Sequence, residues 1–388
     1  MSMINPTSDE IDIRSTVRSL MCDLFPETRV RELDDTGQYP LREMQELAKA
    51  GWLGFHIPER FGGVGPSLTS YVIAVEELGR ISTDISTAYA LPLFVAATID
   101  KFASEEQRER LLPAVARGER RLSFSLSEPG AGSDATNIST MARRVDDGWV
   151  LTGRKIFSTL AHVEGTTMLL AALTEHEDVR RSSLFLVPND AEGVEINRLD
   201  INSYRISGTN EVVLEEVHLP YDALVGEVGT GWESCQYHLS VERLSSAARW
   251  VGVMDAMVDL ATRYATERSS FGKPLIKHQA VGFKLVDMSM QARAARLMLY
   301  ETVDRMSALD DWHSIEIRRD AAMAKLFASE SAQEVARQAT QVLGGYGLDS
   351  SFPLERHARN ARVATIGSGT SEMQRILISR SMAESVRG

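Results

Sequence analysis

Residues Phe124 to Thr159 read FSLSEPGAGSDATNISTMARRVDDGWVLTGRKIFST. The stretch combines a glycine-rich turn, two strand-like runs and the hairpin-turn signal Asp146-Asp147-Gly148. Its Gly130, Gly132 and Ala135 fit the G-x-G-x-x-G/A dinucleotide fingerprint, which requires a helix directly after the glycines. The following residues are instead rich in β-branched side chains and tend to alternate in polarity, as strands do. We therefore reject a Rossmann site here.

The bulk composition limits the possible partners and compartments. The chain has 388 residues, 43% of them hydrophobic, and a net charge of -12, which disfavours nucleic acid or an anionic membrane as the main partner. Cys22 and Cys235 lack the spacing of metal ligands, so we expect no metal site and a reducing compartment. The acidic start lacks a signal peptide's apolar run, and no stretch reaches membrane-spanning length. We therefore expect a cytoplasmic protein.

The local sequence pattern changes twice along the chain. Residues 1–119 show mainly the apolar spacing of helices, including the capping-box signal Ser104-x-x-Gln107. Residues 120–228 contain short alternating runs separated by turn residues, which predict a β-barrel or sandwich. Residues 229–388 return to long helical patterns, for which four-helix packing is the natural architecture. The predicted class is α+β multidomain, with an N-terminal α-helical domain, a middle β domain and a C-terminal four-helix bundle.

Five motifs occur in a fixed order along the chain. They are SEPGAGSD (127–134), GRKIFST (153–159), ERSSFGKPLIKHQAV (267–281), QVLGGYG (341–347) and IGSGTSEMQR (366–375). Together they resemble the acyl-CoA dehydrogenase family, flavoenzymes with this helix–sheet–helix layout. The resemblance covers nearly the whole chain. It implies FAD as cofactor, an acyl thioester as substrate, electron-transferring flavoprotein as electron acceptor, and a homodimer or homotetramer.

The resemblance assigns the flavin ring to the opening stretch. The Leu126 backbone and the Ser127 hydroxyl would bind the pyrimidine edge, and Thr159 would donate near flavin N5 and O4. Phe157 stands where the family usually has Trp, and it would pack beside the ring without an indole N–H. Ser133 would contact the flavin phosphates or the bound thioester.

The same resemblance assigns the rest of FAD to later motifs. Thr370 and Glu372 match contacts to FAD at the start of the last helix. The ADP half would be held across a subunit interface by Arg268, Phe271, Gln279, Gln341, Gly344 and Gly345. A fork-shaped guanidinium suits pyrophosphate, and paired glycines let the backbone approach it closely.

The catalytic base is the point at which the chain departs from the common family pattern. Dehydrogenation requires a carboxylate that removes the α proton while a hydride leaves the β carbon. Most family members carry this Glu just before the Gly-Thr of the last motif, where this chain has Ser368. A minority branch, including isovaleryl-CoA and long-chain dehydrogenases, carries it on an earlier helix, at the position of Glu242. We therefore predict Glu242 as the base, and Arg243, Ser368, Gly369 and Ser133 as substrate contacts.

Three questions stay open from the sequence. Ser240 stands where the family often has Asp near the pantetheine arm, so the substrate is either an acyl-CoA or an acyl-carrier-protein thioester. A relative with other flavin chemistry is the alternative: an oxidase, a reductase, a monooxygenase or desaturation further along the chain. A non-catalytic DNA-associated role requires a basic surface, which the acidic charge opposes. Taken singly, Glu242 reads as an ordinary solvated helix residue; the serine at the usual position of the base and a carboxylate at the alternative position favour the catalytic interpretation.

Overall fold

The computed structural model describes residues 7–65, 67–176, 179–309, 312 and 314–385. Helices come first, strands follow from Arg121, and long helices return from Gly231, which confirms the predicted fold class. The bounds of the three predicted domains stay a prediction. In the part of the chain that is described, no helix is both long and apolar enough to cross a bilayer.

Helices precede the first strand, and a predicted capping box begins one of them. The capping box at Ser104 is confirmed, because the Gln107 N–H donates to Ser104 Oγ (3.3 Å) and the Ser104 N–H to Gln107 Oε1 (2.8 Å). These helices are α1 (Ser8–Leu24), α2 (Glu27–Thr36), α3 (Leu41–Lys49), α4 (Leu68–Ile81), α5 (Thr83–Phe102) and α6 (Glu105–Ala116).

The middle strands are β1 (Arg121–Ser125), β2 (Met141–Val145), β3 (Gly148–Thr159), β4 (Thr166–His176), β5 (Val179–Pro188), β6 (Val194–Arg198), β7 (Thr209–Leu219) and β8 (Leu224–Val225). They form one connected sheet in the order β6-β7-β3-β2-β4-β5-β8, with β1 paired to β4. β2 and β3 pair as the hairpin that Asp146-Asp147-Gly148 predicts, with Val145 opposite Gly148. Residues 126–140, all of them described, form turns and a Glu128–Ala131 bridge, so the glycines are not followed by the helix that a Rossmann fingerprint requires.

The C-terminal part is dominated by long helices. They are α7 (Gly231–Glu267), α8 (Gln279–Ala308), α9 (Ile315–Leu343), α10 (Pro353–Asn360) and α11 (Ser371–Ser385). The sequence reading missed a small hairpin between α7 and α8, formed by β9 (Ser269–Ser270) and β10 (Lys273–Pro274).

The chain divides into two compact units that interleave along the sequence. Unit 1 comprises Met1–Glu32, Leu68–Thr87 and Ser240–Gly388, and unit 2 comprises Leu33–Ser67 and Ala88–Leu239. Unit 1 contains a buried charge network: Glu76 of α4 accepts hydrogen bonds from Arg14, Arg296 and Tyr300. Unit 2 is centred on the sheet, whose core contains Trp149, Leu151, Met168, Phe185 and Val212.

Candidate active site

In unit 2, a β-bulge exposes Phe157. The pairing of β3 with β7 shifts register between Lys155 and Ser158, so Ile156 and Phe157 fall in the irregular segment. Phe157 has a φ of 61°, a left-handed conformation that is strained for a bulky residue, and 61% of the residue is exposed. The bulge therefore presents an aromatic ring at the position predicted to face the flavin.

Hydrogen bonds join this bulge to the segment that begins in β1. Ser123 Oγ donates to the Thr159 carbonyl (2.6 Å), and the Ile156 N–H donates to the Ser127 carbonyl (2.9 Å). The structure thus brings the predicted residues Leu126, Ser127, Phe157 and Thr159 together along neighbouring backbone. Ser133 lies exposed in the turn region beyond the Glu128–Ala131 bridge.

A buried ion pair that the sequence reading missed supports this segment. Lys155 Nζ, completely buried, donates to Glu128 Oε1 (2.7 Å) and to the Leu126 carbonyl (3.1 Å). Burial alone would raise the pKa of Glu128, but hydrogen bonds from Lys155, Ser139 and Thr140 hold it at about 2. The pair fixes the backbone of Leu126. Both residues lie inside motifs that the sequence had singled out, so their opposite charges were the available signal.

In unit 1, the predicted base meets the serine that replaces the usual glutamate. Ser368 Oγ donates to Glu242 Oε1 (2.9 Å), and both residues are half-buried. Ser368 has a φ of 58° and the next residue, Gly369, a φ of 81°, so two consecutive residues are left-handed. Such a conformation is unfavourable for serine and persists only where the surroundings enforce it.

Two side chains that the sequence reading missed hold the turn that carries Ser368. Lys325 Nζ, on α9, donates to the carbonyls of Ala364 (3.0 Å) and Gly369 (2.8 Å). Gln374 Nε2 donates to the carbonyls of Ser368 (3.2 Å) and Gly369 (3.0 Å). Lys325 lies at helical spacing among small buried residues, so a lone lysine on an alanine-rich face was the available sequence signal.

Burial shifts the pKa values of two charged groups in this cluster. It lowers the pKa of Lys325 to about 8, although the charge of Glu242 acts to raise it. It likewise lowers the pKa of Arg243 to about 10, against the opposing effect of Glu242. Arg243 Nε and Nη1 are buried without a hydrogen-bond partner among the described residues. Two buried donors next to the predicted base fit the predicted role of Arg243 in binding a ligand.

The predicted FAD contacts Thr370 and Glu372 lie at the start of α11. Thr370 Oγ1 accepts from the Met373 N–H (3.3 Å), as a helix-capping residue does. The Glu372 backbone N–H and the Thr370 hydroxyl lower the pKa of the exposed Glu372 side chain. Ser371 Oγ between them is buried, with no partner in the described part of the chain. This helix start therefore offers polar groups to a ligand.

The remaining predicted residues gather at the other end of α7. Phe271 and Gly272 form the two-residue tip of the β9–β10 hairpin, both with positive φ, and Phe271 is 94% exposed. Rings of Tyr264 and Tyr346, 6.1 Å apart, place the carboxyl end of α9 near the carboxyl end of α7. The exposed predicted residues at this end are Arg268, Phe271, Gln279, Gln341, Gly344 and Gly345.

This end group lies far from the predicted base within one chain. Glu242 and Arg268 are separated by nearly the whole of the helical span that follows Glu242, about 39 Å at ~1.5 Å per residue. Gly344 and Gly345 have open space where a Cβ would lie, so backbone there is accessible to a large group. The predicted residues of unit 1 therefore include two separate groups. The base group is Glu242, Arg243, Ser368 and Gly369, and the end group is the set of six exposed residues at the carboxyl end of α7.

The donor chemistry of these groups fits FAD. The bulge supplies an exposed aromatic ring, and Ser127 and Thr159, which carry hydroxyls, lie on the backbone joined to it; this combination suits a ring with apolar faces and a polar edge. The end group supplies a guanidinium and accessible glycine backbone, which suits a pyrophosphate.

Profiles of one family match almost the whole chain. The acyl-CoA dehydrogenase N-terminal domain matches residues 7–119, the middle domain residues 123–217 and the C-terminal domain residues 229–383. Caffeyl-CoA reductase-Etf complex subunit CarC of Acetobacterium woodii is 35% identical over 90% of this chain and 91% of its own. The mitochondrial short-chain specific acyl-CoA dehydrogenase of Bos taurus is 34% identical over 94% and 87%.

Solved structures agree with these matches. Butyryl-CoA dehydrogenase from Megasphaera elsdenii superposes with a TM-score of 0.89 and 30% identity, covering 98% of this chain and 99% of that one. The prolyl acyl carrier protein oxidase AnaB superposes with a TM-score of 0.90 and 26% identity, covering 97% and 99%. The chain therefore belongs to the acyl-CoA dehydrogenase family, whose members bind FAD, and the predictions of family and cofactor are confirmed.

Proposed function

We propose that this protein is an FAD-dependent dehydrogenase that converts an acyl thioester to its 2,3-enoyl product, with Glu242 as the base. The observation that carries the assignment is the 2.9 Å hydrogen bond from Ser368 to Glu242. The residue at the usual position of the base thus contacts the carboxylate at the alternative position. Family membership supports the reaction class, which acts on the CH–CH group of the donor.

The residues divide the chemistry between them. Glu242 accepts the α proton of the thioester, and the buried Arg243 donors bind polar ligand atoms or a carboxylate nearby. Bound FAD supplies a hydride acceptor for the β carbon. Ser127, Phe157 and Thr159 orient the flavin ring, while the strained bulge holds the Phe157 ring in place. Ser133 and Gly369 complete the proposed contacts to the thioester.

Glu242→Gln tests the base directly. The amide keeps the shape and can still accept from Ser368, but it cannot take a proton, so anaerobic flavin reduction by acyl-CoA falls roughly 100- to 10,000-fold. FAD absorbance and thioester binding stay near wild type. Glu233→Gln, an exposed glutamate on the same helix, is the control and reduces its flavin normally. Normal flavin reduction in Glu242→Gln would exclude Glu242 as the base.

We further propose that the end group completes the FAD site of a second copy of the chain. The separation of about 39 Å along α7 keeps Arg268 away from Glu242 of its own chain. α8 also has an exposed apolar stripe of Phe283, Val286, Met290 and Leu297 at helical spacing. Such a stripe supports a homo-oligomer, and we propose a dimer or a dimer of dimers.

Mixed oligomers test the exchange of residues between subunits. Glu242→Gln and Arg268→Ala homo-oligomers are each expected to be impaired. If Arg268 binds FAD in the site of the neighbouring subunit, a mixed oligomer regains one intact active site. In that site one subunit supplies Glu242 and the other supplies Arg268. Flavin reduction after co-refolding, corrected for FAD content, measures this recovery. No recovery in verified hetero-oligomers would place Arg268 in its own subunit's site or outside the site.

The names of the relatives support a proposal for the group that carries the acyl chain and for the electron acceptor. Most matching names are acyl-CoA enzymes, one of them an Etf-complex subunit, and we propose acyl-CoA as substrate and electron-transferring flavoprotein as acceptor. An acyl-carrier-protein thioester is the second candidate, favoured by the match to the prolyl carrier-protein oxidase. Anaerobic flavin reduction across acyl-CoA and carrier-protein thioesters separates the two carriers.

Cys22 and Cys235 are both free thiols, consistent with the proposed cytoplasmic location.

A further inference from the structure

Ser368 occupies a conformation that serine rarely adopts, and the structure maintains it from two sides. The left-handed turn at Ser368 and Gly369 is bound by Lys325 through the carbonyls of Ala364 and Gly369. Gln374 binds the carbonyls of Ser368 and Gly369. A glycine at position 368 would satisfy the same backbone without strain. Because glycine would relieve the strain at this position, the contacts of the serine side chain are the feature to explain.

The side chain of Ser368 has a defined partner. Its hydroxyl donates to Glu242 Oε1 at 2.9 Å across 126 residues of sequence. A glutamate side chain has several rotatable bonds, and the last of them has a broad rotational preference. A donor anchored on a fixed turn restricts that rotation and selects one orientation of the carboxylate.

We propose that Ser368 is a positioning residue that aims the Glu242 carboxylate, in a turn held by Lys325 and Gln374. This inference rests on the proposed role of Glu242 as the base. Ser368 acts here through Glu242 rather than as the substrate contact predicted from the sequence, and it supplies a neutral donor instead of a second carboxylate. A second carboxylate at this distance would repel Glu242, whereas a hydroxyl orients it.

The geometry predicts a loss in proton removal rather than in binding. A misplacement of about 1 Å in a reacting group lowers the rate by up to roughly 100-fold. Removing the hydroxyl is expected to slow α-proton removal roughly 10- to 100-fold, with FAD content and thioester affinity within about threefold of wild type. The Glu242 carboxylate remains and can still accept a proton, but its orientation is less restricted.

Substitutions at position 368 separate the hydroxyl from the backbone conformation. Ser368→Gly keeps the left-handed turn and removes the donor. Ser368→Ala also removes the donor, but it keeps the strain of a side chain in this conformation. Ser368→Asn tolerates the left-handed conformation and restores a donor. Ser379→Ala, an exposed serine on α11, is the control and leaves the reaction unchanged.

Acetyl-CoA in D₂O provides a readout that does not depend on flavin reduction. It has α hydrogens but no β carbon, so the holoenzyme can exchange its α hydrogens for deuterium without any hydride transfer. NMR of the acetyl group measures this exchange. We expect it to fall to the uncatalysed rate in Glu242→Gln, to fall 10- to 100-fold in Ser368→Gly and Ser368→Ala, and to recover at least partly in Ser368→Asn.

Anaerobic flavin reduction with α-deuterated acyl-CoA gives an independent measurement. If the hydroxyl positions the base, the α-deuterium isotope effect increases in Ser368→Gly and decreases again in Ser368→Asn. Wild-type exchange in Ser368→Gly, with Glu242→Gln inactive, overturns the positioning role and leaves the proposed base intact. Wild-type exchange in Glu242→Gln instead overturns the proposed base itself.

Discussion

Lys155 and Lys325 are both fully buried and both bind main-chain carbonyls beside predicted site residues, yet their charges are balanced differently. Lys155 of unit 2 forms an ion pair with Glu128 and donates to the Leu126 carbonyl. Lys325 of unit 1 donates to the carbonyls of Ala364 and Gly369, and no carboxylate lies within ion-pair distance of it among the described residues. The first lysine belongs to a neutral pair, and the second carries a charge compensated by carbonyl dipoles and by the more distant carboxylates of Glu242 and Glu330.

This difference separates two ways of holding a functional segment. A buried ion pair stabilises its surroundings only while both partners are present, because one partner alone is an uncompensated charge. A lysine that is hydrogen-bonded only to carbonyls has lost the hydration of its charge without gaining a carboxylate partner. Its removal therefore also removes part of this unfavourable desolvation free energy. The segment at Leu126 should therefore respond more strongly to loss of its lysine than the turn at Ser368.

The largest expected effect is that of Lys155→Met. It leaves Glu128 buried without its cation, which should lower the free energy of unfolding by about 3–5 kcal/mol. Urea unfolding followed by circular dichroism measures this loss. The double variant Lys155→Met/Glu128→Gln should recover part of it, because the unpaired charge is removed. Lys101→Met, at an exposed lysine of the same unit, should change stability little. An equal loss in the single and double variants would contradict the ion-pair account.

The next effect is the acid response of the same pair. The pKa of Glu128 is about 2 in the folded protein, against 4.5 ordinarily, so the folded state favours the ionised form. This stabilisation is present above about pH 4.5 and is lost as the pH falls towards 2; it amounts to about 3 kcal/mol. Unfolding free energies of wild type and Glu128→Gln should therefore converge between pH 5 and pH 2. Parallel curves would show that Glu128 is not held ionised.

The smallest effect is expected for Lys325→Met at pH 7. Two hydrogen bonds from a charged donor are lost, but the cost of the buried charge disappears, so the net destabilisation should be about 1–2 kcal/mol. Urea unfolding at pH 7 compares it with Lys155→Met. Glu330→Gln, which breaks an exposed ion pair with Arg375, is the control and should cost less than about 1 kcal/mol.

The alkaline response gives Lys325→Met a second signature. The pKa of Lys325 is lowered from 10.5 to about 8, so the folded protein releases this proton at a lower pH than the unfolded chain. Lysine deprotonation therefore adds stability between about pH 8 and pH 10.5, and this contribution should be absent in Lys325→Met. A loss at pH 7 as large as that of Lys155→Met would contradict the comparison between the two lysines.

Local patterns predicted the elements of the fold well. The hairpin at Asp146-Asp147-Gly148 and the capping box at Ser104 followed from short-range chemistry, and the structure has both. The β9–β10 hairpin was missed, because Phe271 occupies a turn position where glycine or asparagine is the usual signal. Whether a phenylalanine adopts a positive φ depends on the residues that surround it in the fold, which the local sequence does not reveal.

The candidate site was predicted residue by residue but not as an arrangement. The sequence pointed to Ser127, Phe157 and Thr159, and the structure places them together through β1 and the bulge in β3. It treated Ser368 as the place from which the usual glutamate is missing and as a substrate contact. The structure shows a hydroxyl that contacts Glu242.

The sequence by itself determined the family, the cofactor and the order of helical and β regions, because ordered motifs and hydrophobic periodicity are properties of neighbouring residues. Only the tertiary structure decided how Ser368 meets Glu242 and how Lys155 and Lys325 are compensated. Those contacts join residues that are 27 to 126 positions apart in sequence. Burial sets their energies, and burial is decided by which distant segments pack around a side chain.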